Sequence, residues 1–189
     1  MNKNILDVFG ALIEPQTKDK VKDLTLLFCG INKENRFLKC RASSNTYIDS
    51  QTVQQLKEQI KKGMDLNSIS FEVEYENVQL KSEYFEDIFK DIKTHHSALN
   101  GFFNDASYTF ENNTLTITLK HGGANMLEQL GTKKTIKNYI SEHFGVFAEV
   151  VFDGVLEVSV EENETIAKAA ADEIRKEQKE KKFLFALKI

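Results

Sequence analysis

The chain has no tryptophan, one proline (Pro15) and only two cysteines, Cys29 and Cys40. Each shortage excludes something. Two cysteines cannot make a disulfide-stapled scaffold, and neither CxxC nor a Cys/His spacing of the zinc-binding kind occurs. The plain reading of Cys29 and Cys40 is a pair of reduced, partly buried thiols; a bridge between neighbouring strands is the alternative. No stretch is rich enough in proline or serine to be a linker. A basic surplus is also missing, since 25 Lys and Arg face 29 Asp and Glu for a net charge of −4. Tight binding to nucleic acid through phosphate contacts is therefore disfavoured, leaving room only for a local basic patch. The opening MNKNILDVFGALIEPQ carries Asp7 and Glu14 and lacks both a long apolar run and an A-x-A cleavage site. It reads as neither signal peptide nor membrane span, so a soluble cytoplasmic protein is expected.

Catalytic signatures are absent too. There is no GxxxxGK[ST] phosphate loop, and Gly122-Gly123 alone does not make one. GxSxG and HExxH do not occur, and no aspartates stand at a spacing that would hold two metal ions for nucleotidyl transfer. His95-His96 is the one temptation. Asp91 lies four residues before His95, which gives at most two ligands from that helix. A core-edge or helix-surface role for the histidines is the better reading. No catalytic, cofactor-binding or metal-binding residue is expected.

What is present suffices to fold. The 189 residues are 41% hydrophobic and include 14 Phe, enough for one domain or two small ones. Ile5, Leu6, Phe9 and Ile13 predict a helix over 3–13, with Pro15 following its end. Residues 23–31 and 36–43 read as strands around the polar turn Asn32-Lys33-Glu34-Asn35. Asp49 caps a helix over 50–62 with Val53, Leu56 and Ile60 inward, and Gly63 sits where a C-cap belongs. Residues 67–75 alternate as a strand, with Ile69, Phe71, Val73 and Tyr75 facing one way.

A second unit begins near Ser82. Phe85, Ile88, Phe89, Ile92, His96, Leu99 and Phe103 recur at steps of three and four and predict one helix over 83–103. Strands at 106–111 and 114–120 flank a tight turn at Asn112-Asn113. On the second strand Leu115, Ile117 and Leu119 should pack under that helix, leaving Thr114, Thr116 and Thr118 solvated. Residues 124–144 are helical, either as two short helices or as one interrupted beside Gly131. Leu127 and Leu130 start the inner face, Ile136, Ile140 and Phe144 resume it, and Gly145 ends it. Residues 147–152 and 155–160 predict a hairpin through Asp153-Gly154. A charged helix over 161–182 precedes FLFALKI, which reads like the first strand of something that continues. The expected fold is α+β, with an α-β-β-α-β domain over 1–79, a second over 80–160, and the charged helix and start of a link over 161–189.

Two surfaces stand out. Phe102, Phe103 and Tyr108, between the predicted helix and the hairpin, plug the end of the core on the plain reading; the alternative makes them candidate partner-binding anchors, which would require one side of the Phe102 ring to be exposed. Lys120, Lys133, Lys134 and Lys137, with His121 nearby, read most plainly as a solvated helix face; the alternative is a basic patch that contacts phosphates.

This order of elements resembles a known family. Residues 84–152, with a helix ending in ALNGFF, the hairpin FENNTLTITLK and the helix end ISEHFGVFAEVVF, look like the second N-terminal domain of the PolC-type DNA polymerase III α subunit of low-GC Gram-positive bacteria. LTLLFCGINKENRFLKC and SISFEVEY are similar to that family's first domain, and 161–182 to its charged link. The resemblance implies a second domain akin to a type II KH fold and to the N-terminal domain of the DnaA initiator. It also implies that the polymerase, PHP and exonuclease centres lie beyond residue 189. A KH site needs a GxxG loop, and HGGANMLEQLGTKK contains none, which weighs against KH-style binding of single strands. The expectation is a non-catalytic replisome interaction module, monomeric as a fragment, whose partner is the clamp-loader τ subunit. A single-stranded nucleic-acid-binding accessory domain is the alternative.

Overall fold

Two β-hairpins, each followed by helix and then by a parallel strand, organise the chain. The computed structural model describes residues 2–96, 99 and 101–155. They fall into two units. One runs to Leu80 and takes in Ile140–Phe147, and the other holds Lys81–Tyr139 and continues from Ala148. The fold is α+β.

Unit one contains β1 (Lys3–Asn4), α1 (Ile5–Phe9), α2 (Pro15–Val21), β2 (Thr25–Asn32), β3 (Phe37–Ser44), α3 (Ser50–Gly63) and β4 (Ser68–Tyr75). Its sheet order is β1-β2-β3-β4, antiparallel between β2 and β3 and parallel between β3 and β4. The helix expected over 3–13 is much shorter. Asn4 caps α1 by accepting from the Leu6 amide at 2.9 Å, and the helix stops at Phe9. Pro15 does not follow a helix end; it opens α2 at its first turn. A proline there forfeits no hydrogen bond, because the first amides of a helix have no partner, and its fixed φ suits the helix.

The cap of α3 is where the sequence placed it. The Asp49 carboxylate accepts from the Thr52 amide at 2.7 Å and from its hydroxyl at 2.8 Å. Thr52, Leu56 and Ile60 are buried, while Val53 is only half-buried. Gly63 is not the left-handed cap. It is the last helical residue, and a Cβ there would lie 2.8 Å from Leu12 Cδ2. The left-handed residue is Asp65, at φ 52. Glycine at 63 thus answers a packing need rather than a backbone one. On β4, Phe71, Val73 and Tyr75 face the core as alternation predicts. The Tyr75 hydroxyl donates to the Ile48 carbonyl at 2.9 Å, and its ring lies 4.7 Å from that of Phe144.

Unit two begins with a 3₁₀ turn at Ser82–Tyr84. It continues through α4 (Phe85–His95), β5 (Ser107–Glu111), β6 (Thr114–Leu119), α5 (Ala124–Gln129), the start of α6 (Thr132–Phe144) and β7 (Glu149–Gly154). The sheet order is β5-β6-β7, antiparallel then parallel. Asn112 and Asn113 both have positive φ, 50° and 59°, the conformation of the tight hairpin turn whose twist matches the strands. α4 buries Phe85, Ile88, Phe89 and Ile92. Phe89 stacks on Tyr108 at 4.8 Å, and Phe85 lies 5.4 Å from Phe110, so the helix grips β5 through aromatic pairs. Leu115, Ile117 and Leu119 are buried as predicted; the threonines between them are half-buried rather than freely solvated.

The predicted helix over 83–103 ends early, at His95. His96 is its exposed C-cap, not a residue of the apolar face. Leu99, Phe102 and Phe103 nevertheless reach the core, at 4%, 2% and 3% exposure. They do so from turns, with Gly101 at φ 96 where helix cannot continue. The Phe103 ring lies 4.7 Å from Phe89 and 6.5 Å from Phe152. Phe102 therefore plugs the end of the core, as the plain reading had it, and is not the half-exposed anchor of the alternative. Between the helical positions 124 and 144 the chain forms two helices, separated at Leu130-Gly131 with Gly131 at φ 67. Asp153 and Gly154 remain in the ladder, opposite Thr118 and Leu119, so the expected turn is still strand there. The second arm over 155–160 beyond Val155, the charged helix over 161–182 and FLFALKI lie outside the described residues. Among the described residues no helix is long and apolar enough to cross a membrane.

Asp49→Ala is expected to destabilise unit one by about 1 kcal/mol, the usual worth of an N-cap. Burial pushes the Asp49 carboxyl up, but the Thr52 hydrogen bonds and the Lys20 charge outweigh it and hold it below its ordinary 3.8. Its contribution should thus be present above about pH 4 and fade as pH falls through the lower folded-state value. Urea titrations of both proteins at neutral pH and below pH 4 check this, because their curves should converge in acid. Phe102→Ser should cost unit two about 3–5 kcal/mol, as for other buried phenylalanines. A melting temperature within a degree of wild type would refute the core placement.

Candidate interaction surface

The surface begins with glycines. Gly122 and Gly123 take φ 80° and 95° after β6, turning the chain so that the Gly123 carbonyl accepts from the Leu127 amide at 3.0 Å and starts α5. α5 buries Ala124 and Leu127. Met126 and Leu130, four residues apart and so neighbours on a helical surface, are left 39% and 49% exposed. Leu130 was expected on the inner face with Leu127. The left-handed Gly131 ends α5 there and lets α6 start in a new direction, so the apolar stripe of α5 does not run on into that of α6. Thr132 opens α6 at 1% exposure, with its hydroxyl lacking a partner.

Charged side chains border this turn. Lys133 Nζ lies 2.5 Å from Glu128 Oε1 and 5.3 Å above the Phe152 ring. Lys137 Nζ lies 2.5 Å from Glu149 Oε2. Lys120 and Lys134 are exposed. Two of the four lysines that a basic patch would use are thus matched by carboxylates, which lowers the field available to a phosphate chain. His121, beside Lys120, faces Asp105 at 3.5 Å.

The three aromatic candidates separate. Phe102 and Phe103 are core. Tyr108 is half-buried with one face of its ring stacked on Phe89. Burial, and secondarily the charge of Glu86, push its hydroxyl up to about 12, so it stays protonated at neutral pH.

Asp91, the one ligand that might have joined His95, accepts instead from the Tyr139 hydroxyl at 2.9 Å. Among the described residues no group of three or more His, Cys, Asp or Glu side chains is placed to hold a metal ion. The residues that sequence reading missed are Met126 and the outward turn of Leu130. The available signal was Gly131 itself, a residue suited to left-handed backbone directly after the apolar position it redirects.

No curated protein and no solved structure matches the chain. Residues 83–183 match the family model for DNA polymerase III polC-type N-terminus II. The match spans α4 through β7 and extends past the described residues. Covering more than half of the sequence, it establishes that the chain belongs to the PolC-type DNA polymerase III N-terminal family.

Proposed function

We propose that this chain is the non-catalytic N-terminal region of a cytoplasmic PolC-type replicative DNA polymerase, and that its second unit docks a replisome protein, the τ subunit of the clamp loader. The observation that carries the docking role is the exposed pair of Met126 on α5 and Leu130 at its C-cap, with Glu128, Lys133 and Lys134 close by in the chain. Protein interfaces draw their energy from a few aliphatic or aromatic anchors that become buried, with charged groups at the rim. Methionine adapts its shape to a partner surface at little cost.

Read as a KH-like unit, the α5–α6 turn is where a GxxG loop would clamp a nucleic-acid backbone. Leu130-Gly131-Thr132-Lys133 stands there instead. A protruding leucine, a buried threonine and a lysine already held by Glu128 suit a protein better than a phosphate chain. The non-catalytic reading is supported by the family match, which is to an N-terminal domain of the polymerase.

Leu130→Asp in the 189-residue protein should weaken binding to purified τ at least tenfold, about 1.4 kcal/mol, by isothermal titration calorimetry. Its melting temperature should barely change, since an exposed site tolerates such a swap within about 0.5 kcal/mol. Undiminished affinity would remove this surface from the interface. Failure of the wild type to bind τ, combined with micromolar single-strand binding that collapses with salt, would favour the nucleic-acid alternative. Nucleotide incorporation with magnesium is expected to be nil for this chain, and a primer-extension assay that found it would end the non-catalytic reading.

A further inference from the structure

β2 carries one residue more than β3 needs, between Leu26 and Phe28. Before this bulge Leu26 pairs with Ala42; after it Phe28 pairs with Arg41 and Cys29 with Cys40. Without the extra residue the ladder would set Phe28 opposite Cys40. The bulge therefore does two things. It turns Phe28 outward, 48% exposed, and it brings two thiols to directly opposed positions on neighbouring antiparallel strands. Re-aiming a side chain is what bulges commonly do.

The Sγ atoms lie 3.2 Å apart. Opposed residues of an antiparallel ladder hold their Cα atoms about 4.5–5.5 Å apart, inside the span of about 4.4–6.8 Å that a disulfide accepts. Bond formation needs the sulfurs to approach by only about 1 Å. The two thiols differ in access: Cys29 is exposed and Cys40 is buried. An oxidant in solution reaches one sulfur, and the other waits behind it.

We infer that Cys29 and Cys40 form an oxidation site for hydrogen peroxide, in which Cys29 is the residue oxidised first and Cys40 the residue that resolves it into an intrachain disulfide. In the first step the Cys29 sulfur displaces hydroxide from the peroxide O–O bond and becomes a sulfenic acid, its own proton leaving with the hydroxide as water. In the second the Cys40 sulfur attacks the sulfenic sulfur, the S–O bond breaks, and the hydroxyl leaves with the Cys40 proton as a second water. Two thiols are oxidised to one disulfide and one peroxide is reduced to two waters. Burial, followed by the hydrogen bond and charge of Cys29, pushes the Cys40 thiol above its usual range. Cys40 accordingly keeps its proton at neutral pH, which leaves the exposed Cys29 as the sulfur that meets the peroxide first. In a reducing compartment such a bridge is transient and forms under oxidative load. Its effect is to staple β2 to β3 across the hairpin and to fix the bulge that exposes Phe28.

The test is oxidation of the reduced, full 189-residue protein by a small molar excess of hydrogen peroxide. Both thiols should disappear together, the intact mass should fall by two hydrogens, and a tryptic map should join the Cys29 and Cys40 peptides within one chain. Dithiothreitol should reverse all three changes, and the oxidised protein should melt several degrees higher. In Cys40→Ala, a sulfenic acid at Cys29 should become trappable by dimedone. Because Cys40 is in the core, Cys29→Ser provides an independent arm, and there Cys40 should resist peroxide in the folded protein. Accumulation of sulfinic acid at Cys29 with Cys40 still free would overturn the inference, as would disulfides found only between chains.

Discussion

A strand that lies parallel to its predecessor cannot be reached through a tight turn; the chain must first cross back along the sheet. That constraint shapes both units. β3 and β4 are parallel, and so are β6 and β7. α3 makes the first crossing, and α5 with α6 makes the second. Each crossing segment must bury one face, because a small sheet without a helical cover cannot retain an apolar core. Thr52, Leu56 and Ile60 meet that need in α3, and Leu127 and Ile136 in α5 and α6. The same order of hairpin, helix and parallel strand thus recurs without a residue-level repeat, since it asks only for a pattern of apolar and polar positions.

The two crossings differ in one respect that matters for function. α3 is a single helix held at its start by Asp49. The second crossing is broken by Gly131, and the break has a consequence for side chains on either side of it. Leu127 and Ile136 point inward while Leu130, between them, is turned out. The candidate interface is therefore a by-product of the route the chain takes from β6 to β7. The lysines around it are tied to the same elements, Lys133 to Glu128 on α5 and Lys137 to Glu149 on β7. These short-range pairs spend cationic charge inside the protein and leave less for a nucleic acid.

In unit one, an irregularity of a single residue has comparable reach. Strand pairing has a period of two, so one inserted residue exchanges the faces of everything beyond it. Phe28 and Cys29 both owe their positions to that exchange. The thiol pair requires no special local sequence; it follows from register.

Much of this was legible in the residues, because the signals were local. Asp49 caps α3 through side-chain bonds to a residue three positions on. Asn112-Asn113 reverses the chain by its own backbone preference. Leu115, Ile117 and Leu119 alternate because a strand does. Where reading failed, a local pattern had more than one physical solution. Phe102 and Phe103 continue the helical spacing of α4, yet turns deliver them to the core as well as a helix would. Pro15 is compatible with both the end and the start of a helix; here it starts α2, which buries Thr17 and Val21. Gly63 served contact with Leu12, a partner some fifty positions away that no window along the chain contains. The sequence by itself determined the elements and their inner faces, through periodicity and capping. Tertiary structure alone decided which strands pair in which register, and hence that Cys29 meets Cys40 and that Leu130 faces outward, because register and helix direction are fixed by packing against distant residues.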